Sequence, residues 1–183
     1  ASMSKPRNKS PATLRLLRLC CFAPVAMAGI LAFANLGAFA DEPDLPRVEA
    51  LTRELVQAFR ERRYQDAMPA ARELLSIQEK AFGPEHPDTA TTLQTLAFIY
   101  ENQGLYAEAE PLYKRSLAIR EKTLGPDDPD VARSLVYLGN LYVAQGRYAE
   151  AEPLFQRVLA IRENTLGPEH PDVAATLNSL ALL

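Results

Sequence analysis

The chain has 183 residues, of which 48% are hydrophobic and 23% are charged, the balance of a soluble globular protein. Positions 1–40 hold five basic and no acidic residues, so the other 15 Lys and Arg stand against 23 Asp and Glu, and residues 41–183 carry a formal charge of about −8. That charge repels nucleic-acid phosphate. Both cysteines, Cys20 and Cys21, lie in the first 40 residues, so the remainder has no thiolate metal site.

Residues 1–40 have the order of a secretory signal peptide. A basic stretch precedes an uncharged stretch from Leu19 to Ala40, and the small residues Ala38 and Ala40 fit a signal peptidase site. Cleavage after Ala40 would leave a periplasmic or extracellular protein that begins with a linker, residues 41–45. The alternative is an uncleaved anchor in the inner membrane, since 22 uncharged residues are long enough to span a bilayer.

The rest of the chain is an internal repeat of 42 residues. Residues 88–129 and 130–171 align without a gap and are identical at 25 of 42 positions. Self-similarity at a fixed period of this length is typical of repeat proteins built from stacked supersecondary units.

Each repeat divides into two predicted helices. Leu93, Leu96, Ala97 and Tyr100 fall on one face of the first helix, and a second apolar face begins at Ala109. A glycine follows each helix, as is typical of helix C-termini. A Pro-Asp pair opens the next repeat, as is typical of the first turn of a helix. If the second helices begin near Ala107 and Ala149, Pro111 and Pro153 lie near the helix starts and remove little beyond one hydrogen bond of the opening turn.

The pattern extends in both directions. Residues 46–87 form a divergent first repeat whose apolar face is shifted, and residues 172–183 form a truncated repeat with the first helix only. Because that last helix would expose an apolar face, we expect the chain to be part of a longer protein. A further interpretation is end-to-end self-association through this face.

No motif indicates catalysis. Glu108 and Glu110 have a spacing that places them on different sides of a helix, and no phosphate-binding loop or nucleophile elbow occurs. His86 and His170 recur one period apart, but their place before a first-turn proline favours helix capping over metal binding. The sequence therefore predicts no catalytic, cofactor-binding or metal-binding residue.

These residues resemble the kinesin light chain type of tetratricopeptide repeat. The resemblance is strongest in the segments Leu159–Glu163, Leu166–Val173 and Ala175–Ala181, and it covers residues 46–183. It implies an all-α fold, a right-handed α-solenoid of helix-turn-helix repeats whose first helices line a concave groove. Aligned on the shared leucines, the groove positions carry Gln94, Phe98, Glu101, Arg133, Val136, Tyr137, Asn140 and Asn178.

The resemblance implies a non-catalytic scaffold that binds protein or peptide segments in the groove. With the signal-peptide pattern of residues 1–40, it indicates an exported bacterial member of the family. The paired asparagines of the family are replaced here by Gln94-Thr95 and Val136-Tyr137, and are kept in part as Asn178-Ser179. We therefore expect protein partners but a different mode of contact. The alternative is that the repeats belong to a larger enzyme or effector, for example one with a caspase-like domain beyond Leu183.

Overall fold

The computed structural model describes residues 44–183. The predicted signal peptide, residues 1–40, lies outside this range. Within it the chain forms seven α-helices and no strand: α1 Leu45–Arg60, α2 Tyr64–Phe82, α3 Pro87–Asn102, α4 Tyr106–Leu124, α5 Pro129–Ala144, α6 Tyr148–Leu166 and α7 Pro171–Ala181. Each helix packs against the next, as in an α-solenoid.

Side-chain caps open the first helix of every unit. His86 and His170 accept hydrogen bonds through Nδ1 from the backbone N–H groups of Asp88 (3.2 Å) and Asp172 (3.1 Å), and Asp128 caps α5 in the same way at 2.8 Å. Each cap satisfies one of the free N–H groups of a first turn. The predicted capping role of His86 and His170 is confirmed, and Asp44 caps α1.

Each turn between a first and a second helix contains a residue in the left-handed backbone conformation, with positive φ. Gly104 and Gly146 have φ of 74° and 72°, and Arg62 takes this conformation in the first unit with φ of 55°. The second helices then begin at Tyr106 and Tyr148, one residue before the predicted starts. Because Pro111 is therefore the sixth residue of α4, its missing N–H costs one hydrogen bond inside the helix.

Apolar residues from consecutive helices form a series of buried clusters along the repeats. Leu51 and Leu74 pack with Leu96 and Ile99 where α1, α2 and α3 meet, and the fully buried rings of Tyr113 and Phe155 occupy equivalent places in α4 and α6. The packing leaves the first helices with a row of partly exposed positions. We call this row the first-helix face; it consists of Thr91, Phe98, Glu101, Arg133, Val136, Tyr137, Asn140 and Asn178.

Candidate functional site

The predicted groove residues differ in their accessibility. Asn140 and Asn178 are exposed, while Phe98, Val136 and Tyr137 are partly buried and present only part of their side chains to solvent. The surface is therefore a mixture of amides and apolar or aromatic groups. Such a surface suits contacts with both the backbone and the side chains of a bound segment.

Gln94 does not belong to this surface, which corrects its predicted placement. Only 7% of the residue is exposed, and its side-chain oxygen accepts a hydrogen bond from Arg120 of α4. The prediction was wrong on this point because helical periodicity shows which side of α3 carries Gln94 but does not show that a long side chain from α4 covers it.

Arg120 is buried beneath the first-helix face and joins three helices. Its guanidinium donates to Gln94 of α3 and to Ser134 Oγ of α5 at 2.5 Å, with a longer contact to Thr91 Oγ1 at 3.4 Å. Burial and the neighbouring charge of Arg133 lower the pKa of Arg120 to about 10, so it stays protonated at neutral pH. Because its partners are neutral acceptors, Arg120 acts as a polar link between successive repeats.

Arg133 places a cation at the first-helix face. Its Nη2 lies 3.0 Å from Asp130 Oδ1 one helical turn away, and two-fifths of its side chain is exposed. Its Nε is buried and has no hydrogen-bond partner among the described residues. The side chain therefore has donor capacity that its own helix does not use.

Five aromatic rings form a contiguous cluster at the first-helix face. The rings of Phe59 and Phe98 stack with centroids 5.8 Å apart, and Tyr64 meets Phe98 edge-on at 5.7 Å. Tyr137 contacts the edge of Phe98 at 6.3 Å and stacks on Tyr113 at 5.8 Å. We call these five residues the aromatic cluster; the repeat pattern predicted two of them as groove residues but not their association, which involves five helices.

Glu101 lies beside this cluster. Its Oε2 accepts a hydrogen bond of 2.6 Å from the buried hydroxyl of Tyr113. Partial burial raises the pKa of the Glu101 carboxyl, and the hydrogen bond from Tyr113 offsets this only in part. No basic side chain of residues 44–183 lies within ion-pair distance of it.

A separate polar cluster links the second and third units through α4, α5 and Arg147, the residue that precedes α6. Glu110 binds Arg147 Nη1 at 2.6 Å and Lys114 Nζ at 2.7 Å, and it accepts the hydroxyl of Tyr142 at 3.1 Å. These hydrogen bonds, with that of Arg147 the strongest, lower the pKa of Glu110 to about 2. The guanidinium of Arg147 also lies 4.2 Å from the Tyr142 ring centroid. The cluster serves to join repeats, since its charges are mutually satisfied.

Residues 44–183 contain no group of three His, Cys, Asp or Glu side chains arranged to hold a metal ion. Across the same range no helix has the length and apolar character needed to cross a bilayer.

Comparisons with known proteins agree with this architecture. The tetratricopeptide repeat profile matches residues 56–122, 94–164 and 130–183. A candidate kinesin light chain of Podosopora anserina with nearly identical TPR-like repeats shares 30% identity and a TM-score of 0.63, over 75% of this chain and 64% of that one. BtubC (BKLC) from P. vanneervenii shares 25% identity and a TM-score of 0.70, over 79% of this chain and 57% of that one.

The chain thus spans less than two thirds of the length of either structure. No curated protein matches the sequence. The profile match extends from residue 56 to residue 183 and follows the observed helix pairs, and the similar structures carry repeats of the kinesin light chain type. The chain belongs to the tetratricopeptide repeat family, with repeats like those of kinesin light chains.

Proposed function

We propose that this protein is a non-catalytic scaffold that binds an extended or helical segment of a partner protein along the first-helix face. Tetratricopeptide repeats imply a protein–protein interaction scaffold. The observation that carries the proposal is the continuity of this face: Phe98, Val136, Tyr137 and Asn140 lie on successive first helices and remain partly or fully accessible.

The physical basis is the sum of many modest contacts. Each accessible apolar group that a partner covers is removed from water, which favours association, and affinity accumulates over consecutive repeats. The helices beneath are held by buried links such as Arg120, so the face is ordered before a partner binds. Preorganisation lowers the entropic cost of binding.

The experiment compares partner capture by three forms of the full chain. The test variant carries Arg133→Ala, Val136→Ala and Asn140→Ala on the first-helix face, and the control variant carries Glu152→Ala, Gln156→Ala and Glu163→Ala at exposed positions of α6. Circular dichroism should show that all three forms are helical. We expect a partner from a bacterial envelope extract to be retained by wild type and control and lost by the test variant.

Equal retention by the test variant would place binding on another surface and contradict the proposal. Loss in the control variant alone would assign binding to the second helices.

We also propose that the protein acts outside the cytoplasm. Support comes from the order of basic residues, uncharged stretch and Ala38-Phe39-Ala40. Expression in bacterial cells followed by N-terminal sequencing should yield a chain that begins at Asp41. Recovery of the chain in the cytoplasm with residues 1–40 still attached would contradict this.

A further inference from the structure

Glu101 is a partly buried carboxylate that forms no ion pair with any basic side chain of residues 44–183. Glu79, Glu110 and Glu121 have side chains 34%, 20% and 34% exposed, and each binds an arginine of a neighbouring unit. Glu101 is also only partly exposed, yet within residues 44–183 its carboxylate accepts a hydrogen bond only from the neutral hydroxyl of Tyr113. Partial burial strengthens the attraction between this carboxylate and any cation that approaches it.

The fold does not require a carboxylate at this place. One repeat later, Val143 stands where Glu101 stands, and Phe155 stands in place of Tyr113. Phe155 is buried there without any hydroxyl or acceptor. Because the equivalent seam holds an apolar pair, the Glu101–Tyr113 pair is a specific feature of the second unit.

The surroundings of Glu101 suit a cationic side chain. Phe98 lies one turn before it on α3, and Tyr137 bridges Phe98 and Tyr113 through ring contacts of 6.3 and 5.8 Å. Phe98 and Tyr137 are partly exposed, so their rings remain reachable from solvent. Aromatic faces attract ammonium and guanidinium groups through the ring quadrupole, and a carboxylate beside them adds an ion pair.

The net charge of the repeats also favours a basic partner segment. Residues 41–183 carry 15 basic and 23 acidic residues, a formal charge of about −8. A net negative field attracts basic partner segments and raises their rate of encounter.

We propose that Glu101, Phe98 and Tyr137 form a subsite that binds a lysine or arginine side chain of the partner polypeptide. The proposal rests on the proposed function, because the subsite is part of the first-helix face. It specifies the partner further: a segment with a basic residue placed to reach the C-terminal end of α3.

The test is a selection of random nine-residue peptides displayed on phage, with the full chain immobilised. Wild type is compared with Glu101→Gln, which keeps an acceptor for the Tyr113 hydroxyl but removes the charge. Glu152→Gln, at an exposed position of α6, is the matched control. The triple alanine variant of the first-helix face reports whether selected peptides bind that face at all.

Peptides retained by wild type and by Glu152→Gln should be enriched in Lys or Arg at one position. Replacing that residue by norleucine in a synthetic peptide should weaken binding to wild type about tenfold, and Glu101→Gln should produce a loss of similar size. The norleucine comparison uses the unaltered protein, so it holds even if a variant folds poorly.

Two outcomes overturn the inference in distinguishable ways. If selected peptides bind the first-helix face but show no basic preference, or bind Glu101→Gln as tightly as wild type, the subsite is refuted while the scaffold function stands. If no peptide is retained, or if the triple alanine variant retains the same peptides, binding at the first-helix face fails and the subsite fails with it.

Discussion

Arg120 shows how single polar residues hold successive repeats together. Only 3% of the residue is exposed, and its guanidinium donates to acceptors on α3 and α5, the helices before and after its own. The equivalent Arg162 donates to Thr176 Oγ1 at 2.8 Å and to the backbone oxygen of Asp172 at 2.9 Å, so the link recurs one unit later. A buried cation of this kind is expensive to leave unpaired.

Replacing Arg120 by alanine should lower the free energy of unfolding by about 2–3 kcal/mol, because the acceptors on Gln94 and Ser134 lose their donor and a cavity remains. Urea unfolding followed by circular dichroism measures the change. Lys80→Ala, at an exposed position, should alter the free energy by less than about 0.5 kcal/mol. Equal effects of the two substitutions would contradict the assigned role of Arg120.

Glu110 should make the array sensitive to acid. Its folded pKa of about 2 lies below the usual value of 4.5, so the unfolded chain binds more protons between these values. The stabilisation by Glu110 is therefore complete above pH 4.5 and is lost as the pH falls toward 2.

At neutral pH, Glu110→Gln should be less stable than wild type, and this difference should shrink as the pH falls to about 3. Urea unfolding at the two pH values tests this, with Glu152→Gln as a control whose difference from wild type should stay small throughout. A gap between wild type and Glu110→Gln that is equally large at both pH values would contradict the pKa shift.

At the scale of helices, the close approach of α5 and α6 depends on Gly139. A Cβ at this position would lie 2.9 Å from Cζ of Phe155, closer than side chains tolerate. The second unit has Ala97 at the equivalent place. In the third unit, therefore, the absence of a Cβ at position 139 leaves space for the ring of Phe155.

Gly139→Ala should destabilise the protein by about 1–3 kcal/mol through overpacking. Helix propensity alone predicts the opposite, that Gly139→Ala raises the free energy of unfolding by up to about 1 kcal/mol. Urea unfolding decides between the two. The double variant Gly139→Ala with Phe155→Leu should lose less free energy of unfolding than the two single variants lose together. Additive losses would show that the ring and the glycine do not interact.

For the whole molecule, the repeat period predicted the arrangement of helices because its signals are local. Gly104, Gly146 and the prolines at 87, 129 and 171 mark turns and first turns by their own backbone preferences. The family and the solenoid architecture were therefore correct from the sequence.

The candidate site was predicted only in part, because its decisive contacts join distant residues. Arg120 covers Gln94 across 26 positions, and Tyr137 meets Phe98 from the next first helix. Helical periodicity assigns a residue to a face of its own helix, but it does not show which side chains of other helices cover that face. Likewise, periodicity does not show that Glu101 accepts a hydrogen bond from Tyr113 and forms no ion pair within residues 44–183.

The most direct measurement is site-specific photo-crosslinking with a captured partner or a selected peptide. A benzophenone amino acid replaces Asn140 on α5 or, as the comparison, Gln156 on α6, both of which are exposed. Binding along the first-helix face predicts a crosslinked product from position 140 and little or none from position 156. A product from position 156 without one from position 140 would contradict it and place the partner on the second helices.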